Sequence, residues 1–244
     1  MRKSIASIAV AVALAPALAA AQTPAPSPVT GNMSLVSDYR FRGLTQTFEE
    51  PALQGGFDYA HSSGFYLGNW NSSISDTFYA GSPLEMDFYA GYKPTFGDIT
   101  LDLGVLYYYY PGSDAPGIGR IDNTELYAGA AWRWLSARYF HAVSDFFGVP
   151  DTKNSNYIDL TASFTFGAGW GVVGHIGHQK VKNVSAADYT DYRIGITKDV
   201  SGWVLGAAFV DTDAEEAAYT FTSGSGKSVN VGDSTVVFSV SKTF

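Results

Sequence analysis

Apolar and polar residues alternate with a period of two along most of the chain, and this pattern constrains the fold more than any other feature. In the segment IDLTASFTF (158–166), every even-numbered position is apolar and every odd-numbered position is polar. The segments 84–93 and 99–109 show a similar alternation. Because successive side chains of a β-strand point to opposite faces, the pattern predicts strands that each have one apolar and one polar face.

The alternation predicts an all-β fold with about twelve strands of about 8–12 residues, the length that a tilted strand needs to cross a bilayer. The predicted strands cover residues 32–42, 53–60, 64–72, 84–93, 99–109, 124–132, 135–144, 157–166, 170–179, 191–196, 202–210 and 233–244. The connections between them alternate between long and short segments, as is typical of outer-membrane barrels. We therefore expect a single transmembrane antiparallel β-barrel with both termini in the periplasm.

A soluble β-sandwich is the main alternative for the fold, because its strands alternate in the same way. Three observations disfavour it. The predicted strands are longer than the roughly five or six residues usual in globular proteins. Their apolar faces often end in Tyr, Trp or Phe, which suits the aromatic girdles of a membrane barrel. Their polar faces also carry charges in the middle of strands, such as Asp87, Asp102 and Arg193.

The N-terminus has the pattern of a cleavable secretory signal peptide over residues 1–21. It has a positively charged start, an apolar run too short to span a membrane, and three alanines before the cleavage position. Residues 22–31 are rich in Pro and Ser and are predicted to be a lead segment, with the barrel occupying residues 32–244. We therefore expect an exported protein of the bacterial outer membrane.

The composition disfavours other classes of protein. The formal net charge is −8, and cleavage of two N-terminal cations would bring it to about −10. An acidic chain is a poor partner for nucleic acid. The chain contains no cysteine, so no disulfide holds the fold together. After the signal peptide, no apolar run approaches the roughly 18 residues of a membrane-spanning helix.

The C-terminal strand carries the most specific local pattern. Val236, Phe238, Val240 and Phe244 occupy one face, and the chain ends on the aromatic residue. This arrangement resembles the signal read by the barrel-assembly machinery of Gram-negative outer membranes. Lys242 stands where an aromatic residue is usual, but a lysine near the membrane edge can extend its amine to water. The barrel-assembly machinery and periplasmic chaperones are therefore expected partners during biogenesis.

Several motifs resemble one known family. The stretches SLVSDYRFRGLTQ (34–46), GFYLGNW (64–70), EMDFYAGYK (85–93), DYTDYRIG (188–195) and the closing VFSVSKTF resemble the TorF-type porin family, proteobacterial proteins long described as conserved hypothetical. The resemblance covers most of the mature chain. It implies an outer-membrane barrel with a porin role, but it identifies no substrate and no binding residues.

The polar strand faces are expected to point into the lumen. The predicted lumen-lining set is Asp38, Arg40, Arg42, Asp58, Glu85, Asp87, Lys93, Asp102, Glu125, Arg138, Asp159, His175, Asp191 and Arg193. Acidic residues outnumber basic ones in this set, so the lumen is predicted to favour cations or neutral solutes weakly.

Arg40 and Arg42, on the first predicted strand, have two interpretations. They could bind or steer anions in the lumen. They could instead pair with carboxylates and brace the wall, with Asp38, Asp58 and Asp233 as candidate partners. Bracing is preferred because inward acids outnumber inward bases. A charged constriction would combine both roles.

The predicted function is passive passage of small hydrophilic solutes, and two other classes stay open. One is a non-conducting barrel that binds a ligand or supports the envelope, and the other is a barrel hydrolase. His175 and His178 lie three residues apart on a strand and face opposite sides, so they cannot share a metal. No G-x-S-x-G motif accompanies a histidine. We predict no catalytic residue, no metal and no cofactor.

Lipid and lipopolysaccharide are the remaining expected partners, beside small solutes. The longest loop, residues 211–232, is acidic and rich in Gly and Ser. Such a loop could hold divalent cations together with lipopolysaccharide. Solvated charge is the preferred interpretation, because its acids do not have the spacing of a calcium-binding loop.

Overall fold

The computed structural model describes residues 28–224 and 226–244, which form a closed barrel of twelve antiparallel strands. The barrel strands are β1 (Val29–Val36), β2 (Ala52–Ala60), β3 (Phe65–Ser73), β4 (Leu84–Tyr92), β5 (Ile99–Tyr109), β6 (Asn123–Trp132), β7 (Leu135–Ala142), β8 (Asn156–Phe166), β9 (Trp170–Lys180), β10 (Tyr189–Val200), β11 (Trp203–Thr212) and β12 (Thr235–Thr243). Each pairs with its sequence neighbours, and β1 pairs with β12. Closure leaves no sheet edge unpaired, as a hydrocarbon environment would require.

The outer face of the barrel is apolar and the inner face is polar. Large apolar side chains are exposed around the outside, and Phe57, Ile194 and Phe238 are typical examples. The intervening positions are polar and turn inward, as Glu85, Glu125 and Asp191 do, all three of them buried. The predicted all-β antiparallel barrel of about twelve strands is therefore confirmed, and the period of two is its physical cause.

The two ends of the barrel differ in the length of their connections. Long loops join the strands at one end, which we call the loop end. They contain short elements of their own, among them the paired strands Thr220–Thr222 and Ser228–Asn230, the four-residue helix Glu216–Tyr219 and the 3₁₀ turns Phe146–Gly148 and Ser185–Ala187. Short turns join them at the other end, the turn end, where both described chain ends lie. No helix within residues 28–224 or 226–244 is long and apolar enough to cross a membrane.

The first predicted strand, 32–42, is wrong at both ends. β1 begins at Val29, inside the predicted lead segment, and stops at Val36. The chain then leaves the wall, so Asp38, Arg40 and Arg42 are not strand residues of the barrel. Elsewhere the bounds shift by a few residues, and the largest change extends the segment predicted at 191–196 to Tyr189–Val200. The predicted signal peptide and residues 22–27 lie outside the described residues.

The last strand closes the barrel against the first. Val236 and Phe238 are exposed on the outer face. Phe244 lies just beyond β12, and its backbone exchanges two hydrogen bonds with Gly31, of 2.8 and 3.1 Å. The Lys242 amine lies 4.8 Å from the ring centroid of Trp203, also at the turn end. The proposed role of these residues in assembly stays a prediction.

Candidate functional site

A hairpin folded into the lumen is the feature that most distinguishes this barrel. We call residues 37–51 the inner hairpin. Arg40–Phe41 pairs with Leu44–Thr45 around a two-residue turn. The turn residues Arg42 and Gly43 have φ angles of 46° and 84°, which is the primed turn geometry that matches the twist of a tight hairpin.

The tip of the inner hairpin reaches strands that are not its neighbours in the barrel wall. The hairpin starts from β1 and β2, but a Cβ added at Gly43 would lie 2.5 Å from Thr212 on β11 and 2.7 Å from Asp191 on β10. Only glycine therefore fits at this position, for reasons of both backbone conformation and space. The hairpin thus crosses the lumen at the loop end.

Asp38 holds the base of the inner hairpin together. Its carboxylate accepts hydrogen bonds from Arg40 Nε at 2.6 Å and from the hydroxyls of Thr45 and Thr47 at 2.5 and 3.1 Å. The Arg40 guanidinium also donates to the backbone carbonyls of Gly43, Val231 and Asp233. Arg40 therefore braces the hairpin and ties it to the longest loop.

Arg42 anchors the tip through a buried ion pair. Its Nη1 and Nη2 donate to the two carboxylate oxygens of Glu125 on β6, at 3.1 and 2.6 Å. Nη1 also donates to Gln179 on β9 at 2.8 Å, and the guanidinium lies 4.3 Å from the ring centroid of Tyr157. Burial lowers the pKa of the Arg42 guanidinium, but Glu125, Tyr108 and Tyr157 together raise it by more, so that its pKa stands above the ordinary value.

Of the three carboxylates expected to pair with the two arginines, one does so. Asp38 pairs with Arg40 as proposed. Asp233 accepts from Arg40 through its backbone carbonyl and not its carboxylate, and Asp58 accepts from the Tyr89 hydroxyl instead.

Toward the turn end, a second network surrounds Asp102 on β5. Its carboxylate accepts from Tyr66 at 2.5 Å and from Arg138 at 3.2 Å, and Lys93 lies 3.5 Å away. The Tyr66 hydroxyl is also bonded to that of Tyr127. Side chains from β3 to β7 therefore fill this side of the lumen.

His175 on β9 lies between two acids. Its Nδ1 is 2.8 Å from Asp159 and its Nε2 is 2.8 Å from Asp191. Tyr157 donates to the other oxygen of Asp191 at 2.8 Å. His178 turns outward to Thr190, so the two histidines face opposite sides as expected. Each ring nitrogen of His175 also contacts a hydroxyl, that of Thr161 at 3.1 Å from Nδ1 and that of Tyr157 at 3.2 Å from Nε2, so the imidazole ties β9 to its neighbours β8 and β10.

Two further acids of the predicted set lie behind the inner hairpin. Glu85 and Asp87 on β4 are almost completely buried. Tyr110 donates to Glu85 at 3.2 Å. One oxygen of each carboxylate, Glu85 Oε2 and Asp87 Oδ1, has no hydrogen-bond partner among residues 28–224 and 226–244.

Arg193 on β10 differs from the other inward basic residues. Arg40, Arg42, Lys93 and Arg138 each lie within 4 Å of a carboxylate. Arg193 has no hydrogen bond or ion pair within the described part of the chain, and its Nε atom is buried.

The sequence pattern located the polar strand residues but missed the inner hairpin and the inward tyrosines. Tyr66, Tyr89, Tyr127 and Tyr157 bond to lumen acids or to one another. Tyr89 and Tyr157 fall on the polar faces of the alternation, but the predicted lumen set contains only charged residues and His175. The dipeptide Arg42-Gly43 was the signal for the hairpin, since a primed turn favours glycine at its second position.

Comparison with protein families gives a match over most of the chain. Residues 20–244 match the model of a family described as a bacterial protein of unknown function, Gcw_chp. The chain belongs to this family. No curated protein matches the Gcw_chp chain.

Several solved structures share the fold of the Gcw_chp chain. One described as "KdgM porin" has a TM-score of 0.56 and 8% identity, covering 88% of this chain and 98% of that one. Another, "KdgM porin in complex with disordered oligogalacturonate", has a TM-score of 0.53 and 8% identity over 88% and 97%. A NanC porin has a TM-score of 0.52 and 9% identity over 88% and 98%. At these identities the likeness shows a porin-like barrel fold.

Proposed function

We propose that the protein is a porin of the bacterial outer membrane that passes small hydrophilic solutes through its lumen. The observation that carries this proposal is the closed twelve-strand barrel with an apolar outer face, a polar inner face and the fold of known porins. The resemblance to the TorF-type porin family supports it.

The barrel is proposed to stand with its turn end and both chain termini in the periplasm, after export by the signal peptide. Lipid, lipopolysaccharide and the assembly machinery are then its partners. Trp–cation pairs at the turn end support an interfacial position, since Lys198 lies 5.1 Å from the ring centroid of Trp170 and Arg133 lies 4.9 Å from that of Trp132. Tryptophan and long basic side chains are suited to membrane interfaces.

The inward charges are proposed to set a weak preference for cations or neutral solutes. The predicted lumen set contains eight acids and five Lys or Arg residues. Most of the bases are neutralised by pairing, which leaves the acids in excess. A neutral sugar is therefore a suitable first solute.

A second function, a non-conducting barrel that binds a ligand or supports the envelope, is favoured by one observation. The inner hairpin buries the lumen side chains around it, and Glu125 has a relative exposure of 0% and Tyr108 of 1%. A lumen filled in this way resembles plugged barrels more than wide water-filled channels.

Single-channel recording of the refolded mature protein in a planar bilayer separates these functions. Discrete conductance steps are expected for a porin, and a salt gradient is expected to give a reversal potential of the sign for cation preference. A folded barrel that gives no steps, and that lets no glucose into liposomes, would refute the porin proposal in favour of the non-conducting barrel.

A further inference from the structure

One basic side chain in the lumen lacks the partner that all the others have. Arg193 faces inward from β10, because the positions beside it, Tyr192 and Ile194, are exposed on the outer face. Within residues 28–224 and 226–244 it forms no ion pair or hydrogen bond, and its Nε is buried. Buried polar groups in folded proteins almost always have partners, so the unpaired Nε of this half-buried side chain points to a group that arrives from the lumen.

The acid nearest in sequence is already occupied. Asp191 lies two positions before Arg193 on the same face of β10. Its Oδ1 is 2.8 Å from His175 Nε2, and its Oδ2 accepts from Tyr157 at 2.8 Å. The cross-strand neighbours of Arg193 are His175 on β9 and Val210 on β11. His175 is committed to two acids and Val210 is apolar, so neither neutralises the guanidinium.

The wall beside Arg193 consists mostly of small side chains. Most inward positions on β10 to β12 toward the turn end carry small side chains, and the larger ones are Val204, Val237 and Asp199. The small ones are Gly195, Thr197, Gly206, Ala208, Ser239 and Ser241. The opposite wall carries the tyrosines and the Arg138–Asp102 pair. Space in this part of the lumen therefore lies against β10 to β12, where Arg193 stands.

Arg193 also has a fixed place relative to the inner hairpin. The tip residue Gly43 approaches Asp191, and Arg193 is the next inward position toward the turn end. A solute that passes the tip of the hairpin meets Arg193 directly beyond it. The position is therefore one where binding would select among solutes.

We propose that Arg193 binds the carboxylate of a small, singly charged hydrophilic solute, and this proposal deepens the porin function on which it rests. A guanidinium presents paired N–H donors that match the two oxygens of a carboxylate. The excess of acids elsewhere in the lumen repels polyanions, so the site suits one carboxylate on an otherwise neutral molecule. Arg193 then determines specificity without making the whole lumen anion-selective.

The test is calorimetric titration of the refolded protein in detergent with sodium glucuronate, and with glucose as the uncharged match. We expect saturable binding of glucuronate and none of glucose. Arg193→Gln should weaken glucuronate binding by about ten-fold or more, the effect of losing a charged hydrogen bond. Arg193→Lys should weaken it less, because the charge stays while the paired donors are lost.

Arg133→Gln is the matched control, since Arg133 is an exposed arginine at the turn end that pairs with Asp98. Its glucuronate affinity should equal that of the wild type. Equal affinity in the wild type and Arg193→Gln, or no glucuronate binding by the wild type, would overturn the site. Should Arg193→Gln fail to fold, an Arg193→Lys protein with unchanged affinity would overturn it as well.

Liposome swelling with glucose separates this site from the porin proposal. Glucose uptake without glucuronate binding would overturn the proposed Arg193 site and would leave the porin proposal standing. If glucuronate binding depends on Arg193 but the barrel passes no glucose, the proposed site is supported and the porin proposal is refuted.

Discussion

Toward the loop end, the inner hairpin fills the lumen, whereas toward the turn end the lumen side chains remain partly exposed. The relative exposure of side chains on the inner face is 25% at Arg138 and 21% at Asp159, but 0% at Glu125. The same barrel wall therefore surrounds two different interiors. One resembles a protein core with buried ion pairs, and the other resembles a channel with charged walls.

This difference has a physical cause in the chain itself. The wall has the same alternating strand structure in the loop half and the turn half of the barrel, so the wall itself does not distinguish them. The inserted segment is what excludes water from the loop half. The segment that does so is held by charged contacts at Arg40 and Arg42 rather than by apolar packing alone. Buried ion pairs are costly to break but specific in geometry, which suits a segment that must sit in one position.

The largest expected effect is on stability, through the ion pair at the tip of the hairpin. Arg42→Ala leaves Glu125 buried without a cation, and we expect a loss of about 3–5 kcal/mol in the free energy of unfolding. Urea titration of the refolded barrel in lipid vesicles, followed by tryptophan fluorescence, measures this change.

Two arginine variants serve as controls for that prediction. Arg133→Ala removes a pair whose side chains are 60% and 64% exposed, so its cost should stay below about 1 kcal/mol. Arg193→Gln removes an unpaired charge and should cost nothing. Equal losses for Arg42→Ala and Arg133→Ala would show that the two halves of the lumen do not differ in packing.

The sequence predicted the wall of the barrel far better than its contents. Strand patterns such as 99–109 match the structure because a half-buried strand imposes a period of two on its own residues. The inner hairpin imposes no such period. Residues 37–42 continue the alternation of β1 by chance, since Asp38, Arg40 and Arg42 still occur at every second position, and the departure from the wall at Ser37 depends on contacts with distant strands.

The partners of the lumen charges could not be predicted from the sequence either. Arg42 and Glu125 are 83 positions apart, and their pairing depends on how far the hairpin reaches across the barrel. Alternation predicts which face a residue takes but not its partner across the lumen. Arg193 was predicted to face inward with the other bases, and only the structure distinguishes it as the one without a carboxylate among the described residues.

The next largest effect should appear in the access of water-soluble reagents to the two halves. Ser72 and Ser239 both face inward, but Ser72 is 1% exposed behind the hairpin whereas Ser239 is half-buried toward the turn end. We expect Ser72→Cys to react with a charged thiol reagent about ten-fold more slowly than Ser239→Cys, because reaction requires opening of the packed half.

The natural protein has no cysteine, so each variant reports on a single position. Leu101→Cys, on the outer face, should be protected in lipid vesicles, and its reaction rate is the reference for a protected position. Equal rates at Ser72→Cys and Ser239→Cys would mean that water reaches both halves and that the hairpin does not seal the lumen.

The smallest expected effect, a rise in conductance of about two-fold or more, tests whether the hairpin limits the pore. Val36 and Ala52 are directly paired across β1 and β2, so an Asn-Gly turn can replace residues 37–51 without moving the strands. Removing the segment that fills the loop half should widen the narrowest part of the path. Heat-dependent mobility on a gel provides the folding control. A folded variant with the wild-type conductance would place the limiting constriction in the turn half, among Tyr66, Asp102 and Arg138, and would reverse the comparison between the two halves.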